Sequence, residues 1–267
     1  MDWAVRIYGE KTELFIDRNA EAEAIQKMHE IGVSPALVKY VPEINITVVD
    51  YISDSYTMKN DDFLNVEFHE MIMEPILKIH RSGIQLSKMF DPLVEIQKMT
   101  TILNDLSVSY PEFDIKGMIK KLDYIFNKIN IPKNQYTACH IDLLPENFIM
   151  VINQDSHFPN PIYLIDWEYA GMAPKYYDLA DMFQEILAPR ETEHALIDIY
   201  CSGKNNTETT YLIDMMKPFP DFYWFLWSLI QQNISKIKFD YYNYGKEKFR
   251  NSLKNISILS ESYGIKI

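Results

Sequence analysis

Three residues in the middle of the chain have the types and spacing to handle a phosphate: His140, Asp142 and Asn147, in the pattern H-x-D-x-x-x-x-N. They lie in a stretch, residues 139–181, that reads CHIDLLPENFIMVINQDSHFPNPIYLIDWEYAGMAPKYYDLAD. A hairpin-like segment follows Asn147 and ends on Asp166 in YLIDWE. Phosphoryl transfer needs a carboxylate to orient or deprotonate the attacking hydroxyl, oxygen ligands that hold Mg2+ against nucleotide phosphates, and a cation that steadies those phosphates. Asp142 suits the first role. Asn147 and Asp166 suit the second, because Mg2+ prefers oxygen ligands and keeps part of its water shell. Arg6, in AVRIY, suits the third, and Glu21, on the next predicted helix, can pair with Arg6 and aim it. The pattern is that of a kinase.

Three fixed residues at set spacing recur by chance about once in 10⁴ windows, so the context matters. Apolar YTAC precedes the pattern, apolar FIMVI follows it, and a second apolar strand delivers Asp166. The competing reading has Asp142 and Asn147 capping turns, with His140 a satisfied core histidine. Agreement of motif and context favours catalysis for Asp142 and Asn147. His140 is read as structural in either case, holding its loop by hydrogen bonds. For Arg6 and Glu21 a plain surface pair between strand and helix stands beside the functional reading.

Around these groups the pattern places strands first and helices later. Residues 4–8 read as a strand, 9–11 as a turn and 14–16 as a second short strand. Residues 19–31 read as a helix closed by Gly32. The β-branched run INITVVDYI, residues 44–52, reads as a strand leading out of a small N-terminal lobe. Residues 63–81 have helical periodicity and end at Gly83. Asp91 is a cap, with Pro92 at the first position of a helix running to about residue 106. Ile115, Met118, Ile119, Leu122, Ile125, Phe126 and Ile129 form one stripe of another helix. After the hairpin, residues 178–187, 219–238 and 246–259 read as helices. The expected organisation is two-lobed: residues 1–53 as a nucleotide lobe containing β-strands, and residues 54–267 as a larger, mainly helical catalytic and substrate lobe. Residues 52–57 would connect the two.

A chain of 267 residues can bury a substantial core. Its net charge of −12 argues against nucleic acid, whose backbone needs Lys and Arg, and is compatible with a cationic substrate. Two cysteines, Cys139 and Cys201, make no disulfide framework. The start, MDWAVRIYGE, lacks a signal-peptide pattern, and the aromatic-apolar run at 222–230 is too short to span a bilayer. The cytoplasm is the expected compartment.

The motif and its surroundings resemble the choline/ethanolamine kinase family, within the wider kinase-like α+β fold that includes aminoglycoside phosphotransferases. VRIYGEKTELFIDRNAEAEA, IGVSPALVKYVPEINITVVDYI, HIDLLPEN and YLIDWEYAGMAPKYYDLADMF carry the likeness over nearly the whole chain. IDWEYAG is particularly like the bacterial choline kinases. Near the C-terminus, FYWFLWSLIQQNISKIKFDYYNYGKEKF resembles the family's Trp-x-x-Trp helix and following tyrosines, here Trp224, Trp227, Tyr241 and Tyr244. Trp224 and Trp227 share a helix face. A quaternary ammonium has no N–H to donate, and aromatic faces hold it by cation–π attraction. The alternative is a core helix with two large apolar residues. The resemblance implies that Tyr169 and Glu185 complete the pocket. It implies ATP as cofactor with Mg2+, and a small cationic amino-alcohol as partner. Asp178 would support the catalytic loop by resemblance, or serve as a plain N-cap.

Some positions depart from the family pattern. The chain begins almost at the VRIYG strand, and its only glycine before Gly32 is Gly9, so no glycine-rich phosphate loop is present. A truncated first lobe with an open sheet edge and exposed apolar surface is expected, where a homo-oligomer can form. Leu144 replaces a polar residue of eukaryotic members, and Arg190 falls where some members carry a pocket aromatic. The expected activity is transfer of the ATP γ-phosphoryl to the hydroxyl of choline or ethanolamine. Its rivals are a catalytically silent binding protein that keeps the ammonium pocket, and a kinase of another hydroxylated substrate such as an aminoglycoside.

Overall fold

The β-branched run ITVVD forms the central strand of the first sheet in the computed structural model, which describes residues 2–9 and 11–267. This strand, β3 (Ile46–Asp50), pairs antiparallel with β1 (Trp3–Ile7) on one side and β2 (Leu37–Val41) on the other. The register sets Arg6 opposite Thr47. Trp3, Val5 and Ile7 share one face of β1 and are 60%, 58% and 74% exposed, so this edge strand presents apolar side chains on one face of the first sheet. The helix α1 (Arg18–Glu30) follows β1. Asp17 caps it by accepting from the amides of Asn19 and Ala20 at 3.0 and 3.2 Å. Gly32, at φ +74°, supplies the left-handed residue that ends it.

Two local expectations fail here. Residues 14–16 are not a strand: a 3₁₀ turn covers Thr12–Leu14, closed by the Ile16 amide donating to the Thr12 carbonyl at 2.9 Å. The chain must reverse at this point to enter the Asp17 cap, and among the described residues no strand pairs with Leu14. The strand β2 has no clear sequence signature, because an irregularity between Leu37 and Lys39 leaves Val38 and Lys39 exposed in succession while Tyr40 turns to Asn19 of α1 at 3.3 Å, and period-two alternation is lost. The turn expected over residues 9–11 includes Glu10, which lies outside the described residues.

A second sheet, ordered β4-β6-β7, joins β4 (Ser55–Thr57) to the hairpin of β6 (Phe148–Val151) and β7 (Ile162–Leu164). The connecting segment at 52–57 is therefore itself partly a strand. A two-stranded sheet pairs β5 (Thr137–Cys139) with β8 (Gly171–Ala173).

The rest is helical. The periodic stretch at 63–81 is broken in two, α2 (Asn60–Leu64) and α3 (His69–Arg81), at Asn65, whose side chain accepts from the Glu67 amide at 3.1 Å. Then come α4 (Pro92–Asp105), α5 (Ile115–Ile129), α6 (Lys175–Glu185), α7 (Arg190–Tyr200), α8 (Thr207–Met216), α9 (Pro218–Ile234) and α10 (Tyr241–Tyr263). Asp240 caps α10 on the Asn243 amide at 3.1 Å, so the helix starts earlier than residue 246 and carries both Tyr241 and Tyr244. Close approach of α9 and α10 depends on Gly245: a Cβ there would stand 1.9 Å from Ser228 Oγ. Among the described residues no helix is long and apolar enough to cross a membrane.

Candidate active site

The loop after β5 carries Asp142, and α6 fixes its backbone. Asp178 accepts from the amides of His140 and Ile141 at 2.9 and 2.8 Å, and Asp181, one turn on, accepts from the amide of Leu143 at 2.8 Å. The loop needs this support because Ile141 sits at φ +78°, a costly conformation for a β-branched residue. Asp178 is no N-cap; Pro174 holds that position, and Asp178 also meets His80 Nε2 at 3.0 Å. His140 is structural, as expected. Its Nε2–H donates to the Ile165 carbonyl at 2.8 Å, and its Nδ1 accepts from the Asp142 amide at 3.3 Å. Burial pushes its pKa down, in keeping with a neutral ring.

Asn147 stands beside Asp142. Its Nδ2 donates to the Asp142 carbonyl at 2.8 Å and to Asp142 Oδ2 at 3.2 Å, which leaves the Asn147 side-chain oxygen to face elsewhere. Burial, and then the charges of Asp181, Asp166, Glu185 and Glu168, push the Asp142 carboxyl well above the usual carboxylate range.

Asp166 follows β7 in a left-handed conformation, φ +67°, and meets Arg6 of β1. Arg6 also binds Glu21 Oε1 at 3.1 Å and reaches Glu168. Arg18 binds Glu21 at 2.8 Å and Glu168 at 3.0 Å, and its guanidinium lies 3.9 Å from the Tyr8 ring centroid. Burial and Asp166 raise the Glu168 carboxyl to about 7 despite the two arginines. Carboxylate oxygens of Glu21, Asp166 and Glu168 lie within 4.8 Å of one another, hard oxygens of the type Mg2+ takes but here engaged by Arg6 and Arg18. Arg6, Glu21 and Asp166 also line a cleft of about 460 Å³ whose walls include Ile25, Val49, Ile52, Ile149 and Ile165.

An aromatic cluster joins α9, α10 and the Asp166 turn. Tyr169 meets Trp224 edge-on at 5.1 Å, Trp224 meets Trp227 at 5.9 Å, and Trp227 meets Tyr241 and Tyr244 at 5.8 and 6.3 Å. All five predicted aromatics therefore come together. Asp142 is close enough to raise the Tyr244 and Tyr169 hydroxyls electrostatically, behind the larger effects of burial and nearer glutamates. The sixth predicted member, Glu185, is held by Lys248 Nζ at 2.6 Å. Lys248 also stands 3.6 Å from Asp221 and 5.7 Å from the Tyr244 ring centroid. Arg190 is elsewhere, in a network with Asp214 and Glu193.

Sequence reasoning missed Arg18, Glu168, Asp181 and Lys248. Glu168 lies two residues beyond Asp166 and Asp181 lies i+3 from Asp178, so both were legible as neighbours on a turn and a helix face. Nothing in KEK, residues 246–248, distinguishes the buried Lys248 from the half-buried Lys246.

A family model described as choline/ethanolamine kinase matches residues 2–213. Ethanolamine kinase 2 of Mus musculus is 25% identical over 274 residues, covering 94% of this chain and 69% of the relative. The crystal structure of choline kinase LicA from Streptococcus pneumoniae superposes with a TM-score of 0.80 at 23% identity, over 96% of this chain and 85% of that one. A structure of LicA in complex with AMP matches with a TM-score of 0.78 at 23% identity, over 96% of this chain and 84% of that one.

Proposed function

Since the chain belongs to the choline/ethanolamine kinase family, we propose that it transfers the γ-phosphoryl group of ATP to the hydroxyl of choline or ethanolamine. The observation that carries this reading is the setting of Asp142. It is buried and clamped by Asn147, and it interacts electrostatically both with the acidic group at Asp166 and with the aromatic cluster. In this reading residues 1–53 form the nucleotide lobe and residues 54–267 the catalytic and acceptor lobe. The apolar cleft takes the base of the nucleotide, as AMP binding by LicA suggests. Arg6 meets the phosphates, with Glu21 aiming it and Arg18 supporting that glutamate.

Asn147 and Asp166 would hold Mg2+. When bound, the ion neutralises charge on the phosphate oxygens. Asp142 accepts the hydrogen of the acceptor hydroxyl and orients its oxygen toward the phosphorus. Burial and the surrounding carboxylates raise its pKa, and positive charge placed on either side by Mg2+ and the ammonium would lower it. Trp224, Trp227, Tyr241, Tyr244 and Tyr169 surround the ammonium, and Glu185, ion-paired to Lys248, is the carboxylate near Tyr244. We assign the protein to the cytoplasm, where an ATP pool and reduced thiols suit it.

The test is coupled ADP release with Mg-ATP and choline, ethanolamine or no acceptor. Acceptor-dependent turnover is expected, and Asp142→Asn should lower kcat by about 10²–10⁴-fold without lowering Tm. Undiminished turnover in that variant overturns the assignment of Asp142.

A further inference from the structure

The carboxylate of Asp181 has two oxygens and makes two contacts of different kinds. Oδ2 accepts from the backbone amide of Leu143, the residue after Asp142, at 2.8 Å. Oδ1 accepts from the indole Nε1–H of Trp224 at 2.8 Å. Asp181 is fully buried on α6, and the two donors come from the loop after β5 and from α9. Its neighbour Asp178, by contrast, spends both oxygens on the loop and on His80. We propose that Asp181 is a positioning residue that couples the acceptor cage to the catalytic loop, so that the seating of Trp224 against substrate sets the placement of Asp142. This rests on the roles proposed above for Asp142 and Trp224.

The chemistry favours a carboxylate at this position. Both partners are pure donors, so an ionised Asp satisfies both. An amide at 181 would turn its NH2 toward one of the two donors and lose that contact. Burial and then the Glu185 charge push the Asp181 carboxyl well above the usual carboxylate range, while the Trp224 hydrogen bond, Lys248 and the Leu143 amide pull it back down. The ionised form therefore depends on both contacts being made. A cation arriving in the cage strengthens the same form.

A double-mutant cycle tests the coupling. Trp224→Phe removes the indole N–H and keeps an aromatic ring, and Asp181→Asn is nearly isosteric. With Asp181 present, Trp224→Phe should lower kcat several-fold as well as raise KM for the acceptor, leaving KM for ATP unchanged. In the Asp181→Asn background the same substitution should change kcat less than twofold. Multiplicative effects on kcat, or an effect of Trp224→Phe on acceptor KM alone, overturn the proposal. If the wild-type chain turns over neither amino-alcohol, the functional reading fails on its own, and the coupling is read without turnover. The Leu143 amide resonance must then shift in Trp224→Phe, and no shift overturns the coupling as well.

Discussion

Lys248 is a buried cation among the buried carboxylates of Asp181 and Asp221 and the part-buried Glu185, and replacing it with methionine makes its contribution measurable. Methionine fills much the same volume, so the loss is one of charge. Lys248 Nζ lies 2.6 Å from Glu185 and 3.6 Å from Asp221, with its side chain 8% exposed. Removing one partner of such a pair costs about 3–5 kcal/mol, because the other is left charged and dry. For a chain of this size that corresponds to a fall in Tm of roughly 6–20 °C. The fall should depend on pH. Burial raises the Asp221 carboxyl to about 7 even against the Lys248 ammonium, so at pH 5.5 that group is already neutral and needs its cation less. Differential scanning fluorimetry at pH 8 and pH 5.5 should show the larger loss at pH 8. Choline at saturation should then restore more Tm to Lys248→Met than it adds to wild type, by bringing a cation back to the cage. A loss below about 3 °C, or an equal loss at both pH values, refutes the reasoning.

Asp221→Asn isolates the same titration. The raised carboxyl, from 3.8 to about 7, gives stability that is full below pH 4 and is lost as pH climbs through 7. The variant should flatten the fall in stability between urea melts at pH 5 and pH 8, by up to about 2.7 kcal/mol. Gly245→Ala gains about 1 kcal/mol of helix propensity but meets Ser228 Oγ at 1.9 Å. Overpacking of about 1–3 kcal/mol should win, lowering Tm and raising KM for the acceptor, and Ser228→Ala should recover over half of both. Arg6→Ala removes charge-assisted bonds worth about 1.5–3 kcal/mol, so KM for Mg-ATP should rise roughly 10–100-fold while KM for the acceptor stays unchanged. Equal changes in both constants would place Arg6 outside the nucleotide site.

Much of the candidate site was legible because its chemistry is local in the chain. Asp142 and Asn147 are close neighbours on one loop, and apolar strands on either side announce that the loop is held. The Arg6–Glu21 pair was readable too, since β1 and α1 are consecutive and each carries one candidate charge. What escaped depends on contacts between distant segments. Lys248 and Glu185 lie on separate helices, and no pattern within α10 says which lysine turns inward. Asp181 looked like one more helix residue until α9 brought Trp224 to it. In the fold, periodicity ran straight through Asn65 and hid the break there. The irregularity in β2 broke its alternation and hid a strand, and three apolar residues at 14–16 imitated one without pairing in a sheet.

Among the described residues the strand that carries Arg6 is hydrogen-bonded along one side only: β1 pairs with β3, and Trp3, Val5 and Ile7 lie exposed on one of its faces. Its second tether is electrostatic: Arg6 reaches across to Glu21, Asp166 and Glu168. These contacts are part-exposed and weaken as salt rises. Ionic strength therefore acts on this cleft twice, by screening an incoming phosphate and by slackening the strand that presents the guanidinium. Local opening of β1, seen as faster amide exchange in its partner β3, should track salt in the nucleotide-free protein more steeply than exchange anywhere in α9.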